Sequence, residues 1–172
     1  NAPQIKSALA VQDARGYNRF VSSQPQYSAL WRVIESEVVP LSQKEGIGQI
    51  VWSPMAQGVL TGKYLPGKKA PAGSRATNKG SGANMIKGWM REEVLEAVQK
   101  LKPIADGLGL TMGQLSIAWV LQNPNVSAAI MGATKPKQVK ENVKASGVKL
   151  DADVMKAIDV ALGNLPERDP KK

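Results

Sequence analysis

The chain has 172 residues, 42% of them hydrophobic, enough to bury one core within the size range of a single domain. It has no cysteine, which excludes disulfides and thiolate metal sites, and no histidine, which leaves acid–base chemistry near neutral pH to Tyr, Lys or carboxylates. The net charge is +9 with a pI near 9.8, but the lysine clusters (Lys68, Lys69, Lys79 and Lys87; Lys135, Lys137, Lys140 and Lys144; Lys171 and Lys172) lack the interleaved aromatics of a nucleic-acid groove.

Ile5, Leu9 and Val11 open the chain in a helical pattern that ends near Arg15, with Gly16 as a C-cap. Residues 20–24 read as a short buried strand, with Gln24 near its end. A helix then carries Leu30, Ile34, Val38 and Leu41 at 3–4 spacing up to Gly46, and Pro40 should kink it. The apolar run Ile50-Val51-Trp52 is a second buried strand, broken by Ser53-Pro54.

Residues 65–88 are rich in Gly, Pro, Lys and Ser, which predicts a long functional loop. Val94, Leu95, Val98, Leu101, Ala105 and Leu108 mark a helix disturbed by Pro103. Thr111 and Gln114 form a capping box for a helix that stops before Asn123-Pro124. Residues 127–131 are the third buried strand, turning at Gly132-Ala133-Thr134 into a helix over 135–143. Asp151 caps a final helix with Val154, Ile158 and Leu162 inward, and the tail 166–172 is expected to be mobile. Three strands, each followed by helix, predict α/β architecture with a parallel sheet. No apolar run reaches membrane-span length and no signal-peptide core opens the chain, so the expectation is a cytoplasmic protein without membrane insertion.

The most informative stretch is residues 52–64, Trp-Ser-Pro-Met-Ala-Gln-Gly-Val-Leu-Thr-Gly-Lys-Tyr. It puts a flat ring, two glycines and a cation just beyond a strand end, where ligands bind in α/β folds. This run closely resembles the aldo-keto reductases, in particular the branch that includes the voltage-gated potassium channel β-subunits. Further matching blocks are Ser23-Gln24 with Tyr27-Ser28, then Ser74-Arg75-Ala76, then Gly132-Ala133-Thr134 followed by Gln138, Glu141 and Asn142. The ending Leu162-Gly163-Asn164 also matches that branch.

The resemblance implies a (β/α)8 TIM barrel, with residues 1–172 as the C-terminal portion of its single domain: the last three strands and their helices. It implies NADPH as cofactor. Gln24 resembles the glutamine that bonds the nicotinamide carboxamide, and Trp52 the ring that stacks on the nicotinamide. Ser53, Pro54, Met55, Gln57 and Leu60 correspond to the pyrophosphate wall, with Gly58 and Gly62 allowing close approach. Lys63 and Arg75 resemble the phosphate clamp. Gly132, Thr134, Gln138, Glu141 and Asn142 correspond to the adenosine side, with Lys135 at its margin.

The implied function is reduction of aldehydes or ketones by hydride transfer. The alternative is a non-catalytic, cofactor-sensing regulatory subunit of the channel β-subunit kind. The family's catalytic tetrad of Tyr, Lys, Asp and His comes from the other half of the barrel, and Tyr17, Tyr27 and Tyr64 fall outside its context. No catalytic or metal-binding residue is therefore assigned, and the chain alone is expected to be inactive. The implied partners are a small carbonyl substrate and the N-terminal half of the barrel, with a homo-oligomer as a further option and no nucleic acid.

Overall fold

In the computed structural model, which describes residues 1–78 and 80–172, the chain alternates helix and strand. Lys79, grouped above with the loop lysines, lies outside the described residues. Helix α1 (Ala2–Arg15) is capped at one end by Asn1, whose side chain accepts from Gln4 N, and closed by Gly16 in the left-handed region. Strand β1 (Ser22–Ser23) leads through turns to α2 (Val38–Glu45), then to β2 (Gly48–Trp52). Helices α3 (Ser81–Ile86), α4 (Glu92–Gln99), α5 (Lys102–Gly107) and α6 (Met112–Leu121) precede β3 (Val126–Ile130). Helices α7 (Pro136–Asn142) and α8 (Ala152–Leu162) end the chain.

The three strands form one parallel sheet in the order β1-β2-β3. Ser23 pairs with Gln49, and Trp52 pairs with Ile130. On β2, Gln49 and Val51 are buried beneath the helices, while Gly48, Ile50 and Trp52 face the opposite, half-open side. The core lies on the helical side and is built from Leu30, Val51, Val59, Leu60, Val94, Val98, Ala118 and Ile158. At the N-terminal edge of the sheet a carboxamide pair sets the register. Gln49 Nε2 donates to Asn125 Oδ1 at 3.0 Å, and Asn125 Nδ2 donates to the Ile47 carbonyl at 2.9 Å.

Several expectations are corrected. Strands β1 and β3 are largely exposed: Val21, just before β1, is 74% exposed and Ile130 43%, and in β3 Val126 alone is buried. Each borders the sheet with a strand on one side only, so its inner face has no cover among the described residues. The helix expected from Leu30 starts only at Val38. Residues 28–37 are turns, and Pro40 sits in the first helical turn, where its missing N–H costs no ladder bond. The 65–88 segment is partly helical, with a 3₁₀ turn at Arg75–Thr77 and then α3, because Ile86 reaches the core. The tail is docked rather than loose. Glu167 N donates to the Leu30 carbonyl at 2.9 Å, and Arg32 N donates to the Glu167 carbonyl at 2.7 Å.

No single helix among the described residues is long and apolar enough to cross a membrane; only the pair Glu92–Gly107 and Met112–Leu121, bent by 88°, is long and apolar enough when taken together. Its apolar positions, including Val94, Val98, Leu115 and Trp119, are core residues of this fold.

Candidate functional site

The carboxyl ends of the three strands meet at one rim, with Trp52 at its centre. Trp52 N donates to the Pro25 carbonyl at 3.0 Å, and Tyr27 N donates to the Trp52 carbonyl at 3.2 Å. Gln26 bridges Trp52 on one side and Ile130 pairs with it on the other. The indole is half-buried, which leaves ring surface at the rim. Gln24 is exposed just beyond β1, one residue past the Ser23–Gln49 pair, so it sits lower on the rim than Trp52. Gly132 is exposed two residues past the end of β3, on the far side of Trp52.

The loop after Trp52 is strained. Ser53, Ala56 and Gln57 are non-glycine residues with φ of 57°, 46° and 58°. Each costs roughly 1–2 kcal/mol, and such clusters mark sites where geometry serves function. The Met55 carbonyl accepts from Gly58 N at 2.9 Å and Leu60 N at 3.2 Å, pinning the turn. Gln99 Nε2 holds its far end, donating to the Gly62 carbonyl at 3.1 Å and the Tyr64 carbonyl at 3.2 Å. Gln57 Oε1 is buried without a hydrogen-bond partner, an acceptor left over beside the strained turn.

Lys63 is exposed and its ammonium lies 5.2 Å from the Tyr64 ring centroid. Gly58, at φ 101°, leaves room for it, since a Cβ there would stand 3.1 Å from Lys63 Nζ. Arg75 is exposed on the 3₁₀ turn that packs against α3, and α3 packs against the 56–61 turn. Both cations thus belong to one packed assembly with the Trp52 loop. Pro54 and Leu60 differ from the expected wall: both are buried, Leu60 completely, so they support the loop from the core side.

On the β3 side, Gln138 Oε1 accepts from Thr134 N at 2.7 Å, Thr134 Oγ1 at 3.2 Å and Lys135 N at 3.2 Å. The donors expected to meet an anion are therefore engaged with a side-chain carbonyl. The Glu141 carboxylate lies 3.7 Å from Lys137 Nζ, and its backbone carbonyl accepts from Gln114 Nε2 at 2.8 Å. Asn142 lines a cavity of about 400 Å³ between α6, β3 and α7, with Ile117, Ala128, Met131 and Val139.

None of the tyrosines is placed as a proton donor at this rim. Burial, reinforced by the Glu35 carboxylate, holds the Tyr27 hydroxyl well above its ordinary pKa, and it donates to Glu35 Oε1 at 2.8 Å. Tyr64 is buried in the core and Tyr17 is exposed beyond α1. No cluster of acidic residues capable of holding a metal occurs among the described residues.

Comparison with known proteins agrees with this architecture. A model of the aldo/keto reductase family matches residues 2–162. The chain belongs to the aldo/keto reductase family. Among curated proteins, it is 40% identical over 171 residues to a "probable voltage-gated potassium channel subunit beta" of Arabidopsis thaliana, covering 98% of this chain and 52% of that protein. The same identity and coverage hold for a protein of that description in Oryza sativa subsp. japonica. A "putative voltage-gated potassium channel subunit beta" of Schizosaccharomyces pombe is 43% identical over 150 residues, covering 85% of this chain and 43% of that protein. The chain spans about half the length of the curated relatives it matches.

As an aldo/keto reductase chain, its three parallel strands and their helices are an arc of a (β/α)8 barrel, and the open face of β2 is the barrel interior. Sequence reasoning missed the rim bridge from Gln26, the anchor Gln99 and the packing of Met112 on the loop. Gln99 is the last residue of α4, and in sequence nothing separates it from a solvent-facing glutamine. Only the fold brings its amide to two loop carbonyls 37 and 35 residues away.

Proposed function

We propose that the protein is an NADPH-dependent oxidoreductase that reduces aldehydes or ketones, with these 172 residues supplying the cofactor-binding C-terminal portion of one barrel domain. The observation that carries the reading is the strained, glycine-containing loop that starts at the half-buried Trp52 and ends at Lys63. The residues present fit a dinucleotide. Trp52 offers an aromatic face, Gln57 an unpartnered buried acceptor, and Gly58 the room that the Lys63 ammonium occupies beside the turn. Lys63 and Arg75 offer two exposed cations for the 2′-phosphate or pyrophosphate. When bound, the nicotinamide supplies the hydride. This chain's own residues bind and orient: Trp52 stacks, Gln24 bonds the carboxamide, and Ser53, Met55 and Gln57 shape the turn, with Pro54 and Leu60 behind them. On the adenosine side, Gly132, Thr134, Gln138, Glu141 and Asn142 contribute once Gln138 releases the Thr134 and Lys135 N–H groups.

The proton donor and substrate pocket belong to the complementary part of the barrel, which this reading requires as a partner against β1 and β3. A cytoplasmic protein without membrane insertion or nucleic-acid binding, with a homo-oligomer as an option, completes the proposal. The descriptions carried by the relatives favour a second reading, a cofactor-sensing channel β-type subunit in which the same site reports occupancy rather than turning over.

Fluorescence titration with NADPH and NADH tests the site. Binding of NADPH should quench emission in the native protein, and Trp52→Phe should remove most of that quench although Trp31, Trp89 and Trp119 remain. Lys63→Met and Arg75→Met should each reduce the preference for NADPH over NADH by about tenfold, the worth of one charge-assisted contact. Quenching unchanged in the Trp52→Phe protein, or equal affinity for the two nucleotides before mutation, overturns the assignment. Turnover of a simple aldehyde separates the two readings.

A further inference from the structure

The rim loop is fastened to α6 by two methionine–glycine contacts that run in opposite directions. Met112, in the first turn of α6, lays its Sδ against Gly62, so closely that a Cβ there would overlap the sulfur; Gly62 has φ 73°. Met55, in the loop, lays its Sδ against Gly113 of α6, where a Cβ would lie 3.5 Å from the sulfur and 3.9 Å from the Thr61 methyl. Both methionines are half-buried rather than enclosed in the core, and both sulfurs pack against glycine backbone. We propose that Met55 and Met112 form a peroxide-responsive modification site whose oxidation unfastens the Trp52–Lys63 loop from α6.

The chemistry is self-contained given hydrogen peroxide as the oxidant. A thioether lone pair attacks one peroxide oxygen, the S–O bond forms and the O–O bond breaks. The sulfur loses two electrons, and the departing oxygen takes up a proton and leaves as water. The resulting S=O is a polar, bulkier acceptor that has to sit beside glycine backbone and a methyl group. It gains hydration only by swinging outward. Methionine sits at both contacts where any aliphatic side chain of similar length would pack, and only a thioether can undergo this change. The Ser116 hydroxyl donates to the Met112 carbonyl at 2.7 Å and only approaches the Leu60 carbonyl, at 3.4 Å, so it adds little to the hold that the two methionines share with the buried Val59 and Leu60.

Peroxide treatment followed by peptide mass spectrometry and limited trypsin digestion tests this. Lys63 is exposed, but its peptide bond runs into buried Tyr64 and lies between the carbonyls held by Gln99, so cleavage after Lys63 reports loop opening. Cleavage after the exposed Lys69, outside the fastened segment, is the internal control. Sulfoxide at Met55 and Met112 should accelerate cleavage after Lys63 by about tenfold and leave Lys69 cleavage within about twofold, because proteolysis follows the open population. Methionine sulfoxide reductase should restore the original rate, and Met55→Leu/Met112→Leu should lose the response. Leucine conserves volume, and the native protein with reductase gives the answer should that variant not fold. Absence of sulfoxide at both positions when Met85, 49% exposed, is fully oxidised overturns the proposal. So does an equal acceleration in the leucine variant, or cleavage that the reductase leaves unchanged. The inference stands independently of the cofactor: a loop that opens on oxidation in a protein that binds no NADPH in either state supports the modification site and removes the cofactor reading.

Discussion

Replacing Gly62 with alanine separates two physical costs that the structure places at one atom. The backbone cost comes from φ 73°, where a side chain loses roughly 1 kcal/mol relative to glycine. The packing cost comes from the new methyl, which overlaps Met112 Sδ and forces that side chain out of its contact. Because methionine is flexible, the packing penalty should fall at the low end of overpacking, about 1–2 kcal/mol. Gly62→Ala should therefore destabilise by about 2–3 kcal/mol, a sizeable share of the 5–15 kcal/mol typical of a domain. Met112→Ala alone should cost about 2 kcal/mol, because the side chain is only half-buried. In the double variant the overlap is gone, so the added cost of Gly62→Ala should shrink to the backbone part, about 1 kcal/mol. Urea unfolding followed by circular dichroism gives these values from midpoints at constant slope. Increments that agree within about 0.5 kcal/mol in the two backgrounds would show that sulfur and glycine do not meet, and the reasoning fails.

Other outcomes follow from buried charge and burial-shifted titration. Arg32 is 4% exposed, with its Nε donating to the Ala29 carbonyl at 2.9 Å, its guanidinium 4.6 Å from the Trp119 ring centroid, and an ion pair to Asp159 at 2.7 Å. Asp159→Asn should cost about 2–3 kcal/mol because it strands a buried cation, while Arg32→Met should cost about 1 kcal/mol because water can solvate the half-exposed Asp159. Urea unfolding that ranks the two variants the other way refutes this account. Tyr27 stays protonated in the folded protein above its ordinary pKa of 10.0, so the folded state holds a proton that the unfolded chain releases. Stability should fall as pH rises past about 10, and Tyr27→Phe should flatten that fall relative to the native protein. Parallel alkaline unfolding curves for the two proteins would contradict it. Glu167 titrates below, and Lys172 above, their ordinary ranges because each bonds the other at 2.6 Å. The carboxylate's contribution is thus present above the ordinary carboxylate range and lost as pH falls through its lowered value. Amide shifts of Arg168, Asp169, Lys171 and Lys172 in an acid titration should show the tail paired where a free glutamate is already protonated.

Much of the scaffold was legible because local chemistry and global fold agree. Gly16 and Gly46 closed their helices, Thr111 with Gln114 opened α6, and Asp151 capped α8, each through bonds set by neighbours in sequence. The parallel order of β1, β2 and β3 followed from strands separated by helices. Burial of β1 and β3 was misjudged because apolar content shows that a face seeks cover without showing whether these residues provide it. Ile130 faces an uncovered side, whereas Val51 lies beneath the helices. Tail docking was illegible because it depends on backbone pairing of Glu167 with Leu30 and Arg32, more than 130 residues away, and backbone groups carry no sequence signal. At the site, the positions of Trp52 and Lys63 were readable from the run itself. The inward burial of Pro54 and Leu60 was not, since a loop residue's direction depends on φ values such as those at Ser53 and Ala56.

The Gln49–Asn125–Ile47 amide link sits at the opposite end of the strands from Trp52, and it divides the sheet into a foundation and a working surface. Register is held below, where the Gln49 and Asn125 amides bond across the strands, and the pairing shifts between Gln49 and Ile50 before the rim is reached. A designer wishing to retune ligand choice could therefore vary exposed rim positions such as Lys63 while keeping the buried Leu60, the crowded Gly62, and Gln49 and Asn125 fixed. Exchanging that pair for aliphatics would blur the alignment of every residue overhead, even with the upper turns untouched.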